Sequence, residues 1–534
     1  MGIKYFFKWY KKTFPKTIQK YDEKISLSNT CLMLDLNGII HSCCQKIYKY
    51  GKSEPFKLIK KKCLGKSRVG KRNLSVASKI SNEELVFADV LETIDSLVVS
   101  TNPTSIVIAI DGVAPLSKQI QQRQRRFLST KSVNGFDPNC ISPGTEFMYN
   151  LGKYLHNALN EKLKTKWLNI TSLYFLDSSV PGEGEHKLYN FLRSVNLSKD
   201  QDVIISGNDS DLIMLSLLAT TYVPNKIYVL REDLGSQMII DIISTRNLLE
   251  SMGTAEQSVI FDFIVLCFFV GNDFMPQIPL LNIYDGGLDL LLQYYFKSNL
   301  RIVTLRAPQS LEIDISVLKE IFTFILRNIS THAIRHYKIR NYGYKDPLLN
   351  QVLEESPDVY PLGAAKRYYK TYSKQHAINN NIAGLYIKEM EWVLKYYLQG
   401  VDSVDWNFYY PHQYAPTPID LLEYDGNSPP LAEYQYEFQI KSDPYFQLLC
   451  ILPYHSSALL PYPFNDILNK QLKIYQPQAP IRIDYDGKLN DWEGIPILPA
   501  LNYPAIYQIY KANLPKCVDI KRNCSNTGIH YRVS

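Results

Sequence analysis

The chain has 534 residues, 46% of them hydrophobic and 21% charged, a balance that suits a globular protein with substantial cores. Its 59 Lys and Arg against 52 Asp and Glu leave a net charge of +7, which permits a polyanionic partner without requiring one. The nine cysteines contain no CxxC pair, so neither a zinc knuckle nor a disulfide framework is indicated, and the thiols read as inert groups in a reducing compartment. Lysines at 4 and 8 break the amino-terminal aromatic run MGIKYFFKWY, which is therefore not a signal peptide. Phe6 stands where N-myristoylation wants Ser or Thr. The longest charge-free apolar run, FIVLCFFV at 263–270, is too short to span a bilayer. An intracellular protein without a membrane partner is expected, the cytoplasm being favoured over the nucleus.

Through residues 1–290, apolar runs of buried-strand length alternate with helical patterns. The runs are CLMLD (31–35), SIVIAID (105–111), TSLYFLD (171–177) and DVIIS (202–206). This order predicts an α/β domain built on a mainly parallel sheet flanked by helices. The segment FIVLCFFVGND fits a buried strand or a buried helix equally well. Residues 46–80, with KLIKKKCLGKSRVGKR at their centre, read as a basic insert without periodicity, either a solvated loop or a nucleic-acid or nuclear-import contact. Residues 291–534 change character: helical patterns such as IDISVLKEIFTFILRNI and IAGLYIKEMEWVLKYYLQG are separated by Tyr- and Pro-rich stretches. They predict a second, largely helical region packed against the first.

Ligands of open parallel sheets bind outside the carboxyl ends of the strands. Those ends carry acids here: Asp35, Asp111, Glu183 and Glu185 in VPGEGEHK, Asp209 and Asp211 in GNDSD, and Asp273 in GNDF. One aspartate after a strand is a helix cap. Seven acids along one sheet edge would repel each other unless cations held them together. Hard carboxylate oxygens suit Mg²⁺ or Mn²⁺, whereas zinc prefers His and Cys. A pair of such ions can activate water against a phosphodiester. The glycines of PGEGE let the backbone turn sharply enough for both glutamates to face one site.

After Asp111 comes GVAPLSKQIQQRQRRF, with Pro115 suited to a first helical position. On a helical wheel Lys118, Gln122, Arg125 and Arg126 fall at about 0°, 40°, 340° and 80°, whereas Ile120 and Phe127 fall near 200° and 180°. One face is thus cationic and can bind phosphate, with Arg forks matching its oxygens. The plain alternative is a solvated basic face.

These segments resemble the XRN-type 5′→3′ exoribonuclease family, and the similarity continues through AKRYYK, EWVLKYYLQGV, DWNFYYPHQYAP, LPYHSSALLP and IDYDGKLNDWEGIPILP. The matches cover both conserved regions of that family's catalytic core, without its long carboxy-terminal extension. The resemblance implies a flap-endonuclease- or PIN-like nuclease core. It implies that Asp35, Asp111, Glu183, Glu185, Asp209, Asp211 and Asp273 are metal-binding catalytic acids. It likewise implies that Lys118, Gln122, Arg125 and Arg126 hold a substrate 5′-monophosphate, and that His41 and Trp406 stack on the first base. Asn208 and Ser210 depart from the Leu and Ala usual in the family, and Phe408 replaces a second tryptophan.

The expected activity is that of an Mg²⁺-dependent exoribonuclease with two ions, Mn²⁺ being able to substitute. It would hydrolyse single-stranded 5′-monophosphorylated RNA to nucleoside 5′-monophosphates in RNA decay, as a monomer. Two other readings remain open. A structure-specific 5′ flap or DNA nuclease would use similar acids without needing a 5′-monophosphate. A catalytically idle RNA-binding scaffold would bind RNA without Mg²⁺-dependent loss of substrate.

Overall fold

A computed structural model describes residues 2–21, 29–50, 81–129, 135–253, 258–307, 310–355, 360–426, 440, 443–478 and 480–532. The strands in chain order are β1 (Ile18–Lys20), β2 (Thr30–Asp35), β3 (Ser105–Ala109), β4 (Ser172–Leu176), β5 (Asp202–Ser206), β6 (Ile227–Asp233) and β7 (Ser236–Asp241). They are followed by two short hairpins, β8 (Val303–Ala307) with β9 (Ser310–Ile313) and β10 (Ile483–Asp484) with β11 (Ile495–Pro496), and by β12 (Ile529–Arg532). One eight-stranded sheet runs in the order β1-β7-β6-β5-β2-β3-β4-β12. The five central strands, β6 to β4, are mutually parallel, and both edges are closed by antiparallel pairs.

The expected α/β core is therefore present. The four apolar runs are β2 to β5, which read clearly because parallel strands covered on both faces are apolar at every position. Their residues alternate between two cores. Met33, Val107, Ala109, Val203 and Ile205 face one, and Leu32, Leu34, Ile106, Ile108 and Ile204 the other, as the two-residue period of a strand requires.

Helices cover both faces: α1 (Phe6–Thr13), α2 (Asn37–Tyr48), α3 (Asn82–Thr101), α4 (Leu116–Leu128), α5 (Glu146–Thr165), α6 (Gly184–Ser194), α7 (Asp211–Ala219), α8 (Ile242–Met252) and α9 (Ser258–Phe268). The ambiguous FIVLCFFV run is resolved as helix, since its first six residues close α9. That helix is apolar all round because it is buried all round. Its one charged side chain, Asp262, accepts hydrogen bonds from Tyr295 and from the backbone N–H groups of Ile302 and Val303.

The second region is mostly helical: α10 (Gly287–Ser298), α11 (Ile315–Phe324), α12 (Ser330–Ile339), α13 (Pro347–Glu354), α14 (Pro361–Gln375) and α15 (Asn380–Gln399), with shorter helices as far as Asn513. The expected boundary at 290 falls inside α10. The largest core also crosses it, joining α1, α7 and α9 to Leu291, Phe322, Tyr396 and Tyr397. β12, although it belongs to the second region, pairs with β4 as an edge of the first region's sheet. Of the basic insert, residues 46–48 complete α2, and residues 51–80 lie outside the described residues. No helix among the described residues is long and apolar enough to cross a membrane.

Candidate active site

The carboxyl edge of the sheet opens into a cleft. Its lining includes Asp35, His41, Asp111, Lys118, Gln122, Arg125, Arg126, Glu183, Glu185 and Asp209. Asp35 closes β2. Asp111 follows β3 and accepts a hydrogen bond from the Gly184 N–H at 2.7 Å. The VPGEGEHK turn brings both glutamates in. Gly182 adopts φ +100°, a conformation that favours glycine. A Cβ on Gly184 would come within 2.6 Å of Asp35 Oδ1. Glu183 then stands just before α6, without capping it through its side chain, while Glu185 lies in its first turn.

Asp35, Glu185 and Asp209 each place a carboxylate oxygen within 4.8 Å of the others. Burial and the neighbouring Asp111 and Asp209 push the Asp35 carboxyl well above its ordinary range. Burial and Asp211 do the same to Glu185. Burial, followed by Asp273, raises Asp211 to about 7. Glu185 Oε2 and Asp211 Oδ1 are buried without a hydrogen-bond partner. Crowded, desolvated carboxylates with unused oxygens are what a hard divalent cation stabilises, so the residues present fit such an ion. Glu183, Glu185 and His186 form a second group of ligand atoms within 4.8 Å. There, however, Glu183 is ion-paired with Lys118, and the His186 ring stacks on Tyr396 at 3.8 Å between centroids.

Asp211 and Asp273 do not line the cleft. Asp211 opens α7 behind the cluster and accepts a hydrogen bond from Tyr397 Oη at 2.9 Å. Asp273 accepts from Lys118 Nζ at 2.8 Å and Arg125 Nη2 at 3.0 Å. Burial alone would raise Asp273, but Lys118 and Arg125 hold it well below the usual carboxylate range.

The cationic face of α4 is formed as the wheel predicts, with one adjustment: Pro115 is the residue before the helix and not its first member. Lys118, buried between Glu183 and Asp273, belongs to the acid cluster. Arg126 donates to Ser142 Oγ at 3.0 Å and the Ile141 carbonyl at 2.8 Å. Gln122 Oε1 accepts from Gln447 at 3.1 Å. Arg125 Nε is buried without a partner. Burial, with Arg126 and Arg125 nearby, lowers the His41 imidazole to about 3.

Trp406 is not brought to the cleft. Its indole N–H donates to the Val401 carbonyl at 2.8 Å, and its own carbonyl accepts from the Leu116 N–H at 2.9 Å, at the start of α4. Phe408 is buried in the main core. The two departures around the Asp pair make local anchors: Asn208 Oδ1 accepts from the Glu232 N–H, and Ser210 Oγ donates to the Ile3 carbonyl.

Sequence reading missed the two phenols of α15. Tyr396 donates to Glu183 at 3.0 Å and Tyr397 to Asp211 at 2.9 Å. The segment EWVLKYYLQG carries them, but neighbouring tyrosines on an apolar helix give no local sign of what they will face.

Comparison with known proteins decides the lineage. The family described as XRN 5′-3′ exonuclease N-terminus matches residues 1–135 and 129–233, and the Xrn1 helical domain matches residues 255–334 and 358–514. The chain belongs to the XRN 5′-3′ exonuclease family. Among XRN relatives, it is 26% identical to human 5′-3′ exoribonuclease 1 over 613 residues, covering 94% of this chain and 33% of that protein. To the Drosophila melanogaster 5′-3′ exoribonuclease 2 homolog it is 25% identical over 722 residues, covering 100% of this chain and 74% of that one. The chain thus spans about a third of the length of the human XRN relative and about three quarters of the fly one. The catalytic core of Rad2 in complex with DNA substrate superposes loosely, with a TM-score of 0.33 and 13% identity over 64% of this chain and 77% of that one.

Proposed function

We propose that this chain is a 5′→3′ exoribonuclease that hydrolyses single-stranded, 5′-monophosphorylated RNA and releases nucleoside 5′-monophosphates. The observation that carries the reading is one cleft in which Asp35, Asp111, Glu183, Glu185 and Asp209 meet the cationic face of α4. The XRN relatives, named as 5′-3′ exoribonucleases, support RNA as the substrate and the direction of attack.

On this reading Asp35, Glu185 and Asp209 hold Mg²⁺, or Mn²⁺ in its place, with Asp111, Glu183, Asp211 and Asp273 completing the acid set. A pair of such ions, when bound, supplies an activated water and stabilises the leaving 3′ oxygen. The remaining tasks fall to the chain's own side chains. Arg125 offers the 5′-phosphate a buried, unpaired N–H. Arg126 is oriented before substrate arrives by its bonds to Ser142 and Ile141, which lowers the ordering cost of binding. Lys118 bridges Glu183 and Asp273, so the phosphate pocket and the acid cluster share one charge network. His41, kept neutral by burial, presents a flat ring on which a base can stack.

The test uses the full chain with 3′-labelled RNA bearing a 5′-monophosphate, 5′-hydroxyl or 5′-triphosphate, and matched DNA, in Mg²⁺ or in EDTA. Decay of the monophosphorylated RNA alone, abolished by EDTA and by Asp209→Ala, is the expected result. Equal cutting of all 5′ ends, or preference for DNA flaps, would overturn the phosphate-pocket reading. RNA bound and never cut would leave a scaffold.

A further inference from the structure

The basic helix does not supply every cation of the cleft. Arg231, on β6, lines it from the other side. Its Nε and Nη1 are buried without a hydrogen-bond partner. Among the described residues no carboxylate lies within ion-pair distance of it, and Asp233, its neighbour along the strand, is engaged by Lys11 at 2.7 Å. The guanidinium sits over Phe7, its central carbon 3.5 Å from the ring centroid. Stacking of this kind fixes the plane of the fork and leaves its N–H edge free for an oxyanion. Buried guanidinium donors left unused are costly unless a ligand engages them.

The sheet register locates this cation. Leu34 pairs with Ser206 and Ser206 with Leu230, so Asp35, Gly207 and Arg231 lie one residue further on, along the carboxyl edge. Across that edge the strands run β3, β2, β5, β6. Asp111 and α4 follow β3, Asp35 ends β2, Asp209 follows β5, and Arg231 sits on β6. The carboxylates therefore stand between the cationic face of α4 and Arg231, beside which Glu232 also lines the cleft. The edge from β3 to β6 spans three strand spacings, about 14 Å. A strand with its 5′-phosphate on α4 and its scissile bond over the acids must continue towards β6.

We propose that Arg231 binds an RNA backbone phosphate on the 3′ side of the scissile bond, forming a second phosphate subsite that holds the incoming strand in register. The proposal rests on the exoribonuclease reading above. The alternative role for Arg231 is to balance the charge of Asp209 without touching substrate.

Single neutral methylphosphonate linkages separate the two roles. A series of 5′-monophosphorylated RNAs carries one such linkage at the second, third or fourth position, and first-nucleotide release is followed in single turnovers. In the wild-type chain, one position should weaken substrate use roughly ten- to a hundredfold, the loss of a charge-assisted hydrogen bond. In Arg231→Gln the same position should have no further effect, while the other positions and the preference for a 5′-monophosphate stay as in wild type. Arg231→Lys, which keeps charge but not the fork, should retain part of the position-specific penalty. It also serves as the reporter if the Gln variant melts early. An Arg231→Gln series slowed equally with every linkage, or unchanged from wild type, would overturn the subsite while leaving the exoribonuclease intact. A wild-type chain that ignores monophosphorylated RNA would overturn the functional reading itself, and Arg231's role with it.

Discussion

Tyr397 donates a hydrogen bond to Asp211 at 2.9 Å, bridging two residues 186 positions apart in sequence. One lies on α15 of the helical region and the other at the start of α7, behind the acid cluster. With Tyr396 on Glu183, the second region reaches through the core to orient two carboxylates. Tyr397→Phe should keep the fold, lose about 1–3 kcal/mol of stability, and weaken divalent-cation affinity roughly tenfold or more. Urea melts and Mn²⁺ titration calorimetry check the two effects, and unchanged affinity would make the phenol structural only.

The acid cluster destabilises the fold that carries it. Asp35 is raised well above its ordinary range by burial and by Asp111 and Asp209, so its ionised form opposes folding near neutral pH. Asp35→Asn should therefore raise the melting temperature in EDTA by a few degrees. It should also abolish the further rise that Mg²⁺ gives the wild type. A variant that melts lower in EDTA, or still responds to Mg²⁺, would contradict this account.

Gly184 tests the closeness of the glutamate turn. A Cβ there meets Asp35 Oδ1 at 2.6 Å and Asp111 Oδ1 at 3.4 Å, so Gly184→Ala must push carboxylates apart. Circular dichroism should show a folded protein, while Mn²⁺ binding and RNA hydrolysis fall at least tenfold, since ligand positions of this kind tolerate displacements of only about 0.5 Å.

Glu389 offers a pH signature away from the acids. It is fully buried on α15 and bonded by Ser117 Oγ, and burial raises its carboxyl to about 8. The unfolded chain protonates this group near pH 4.3. The folded state holds the proton more tightly, so the stabilisation is complete below about pH 4 and is lost as pH rises towards 8. Between pH 5 and 8 the wild type should lose a few kcal/mol that Glu389→Gln does not lose. Urea melts of both proteins at the two pH values measure the difference, and parallel losses would refute it.

Much of the catalytic half was written locally. Strands β2 to β5 are apolar at successive positions because both sheet faces are covered, and the site acids lie at their ends or within a few residues beyond. The cationic face of α4 could be drawn from residue spacing alone, since a helix repeats every 3.6 residues. What spacing could not show was the partner of each side chain. Lys118, read as a phosphate ligand, lies ion-paired between Glu183 and Asp273. Trp406, expected at the first base, is held by the Val401 carbonyl and accepts from Leu116 at the entry to α4, partners that its spacing does not record.

The sequence by itself determined four of the five central strands, β2 to β5, the acids that follow them, the polarity of α4 and the helical nature of the second region. Each of these is a periodic or contiguous pattern within a few tens of residues. Only the tertiary structure decided that β12 closes the sheet beside β4, that a core joins the two regions across residue 290, and that Tyr396, Tyr397 and Arg231 surround the carboxylates. These contacts join residues far apart in the chain. Packing of whole faces selects them, and no local periodicity records it.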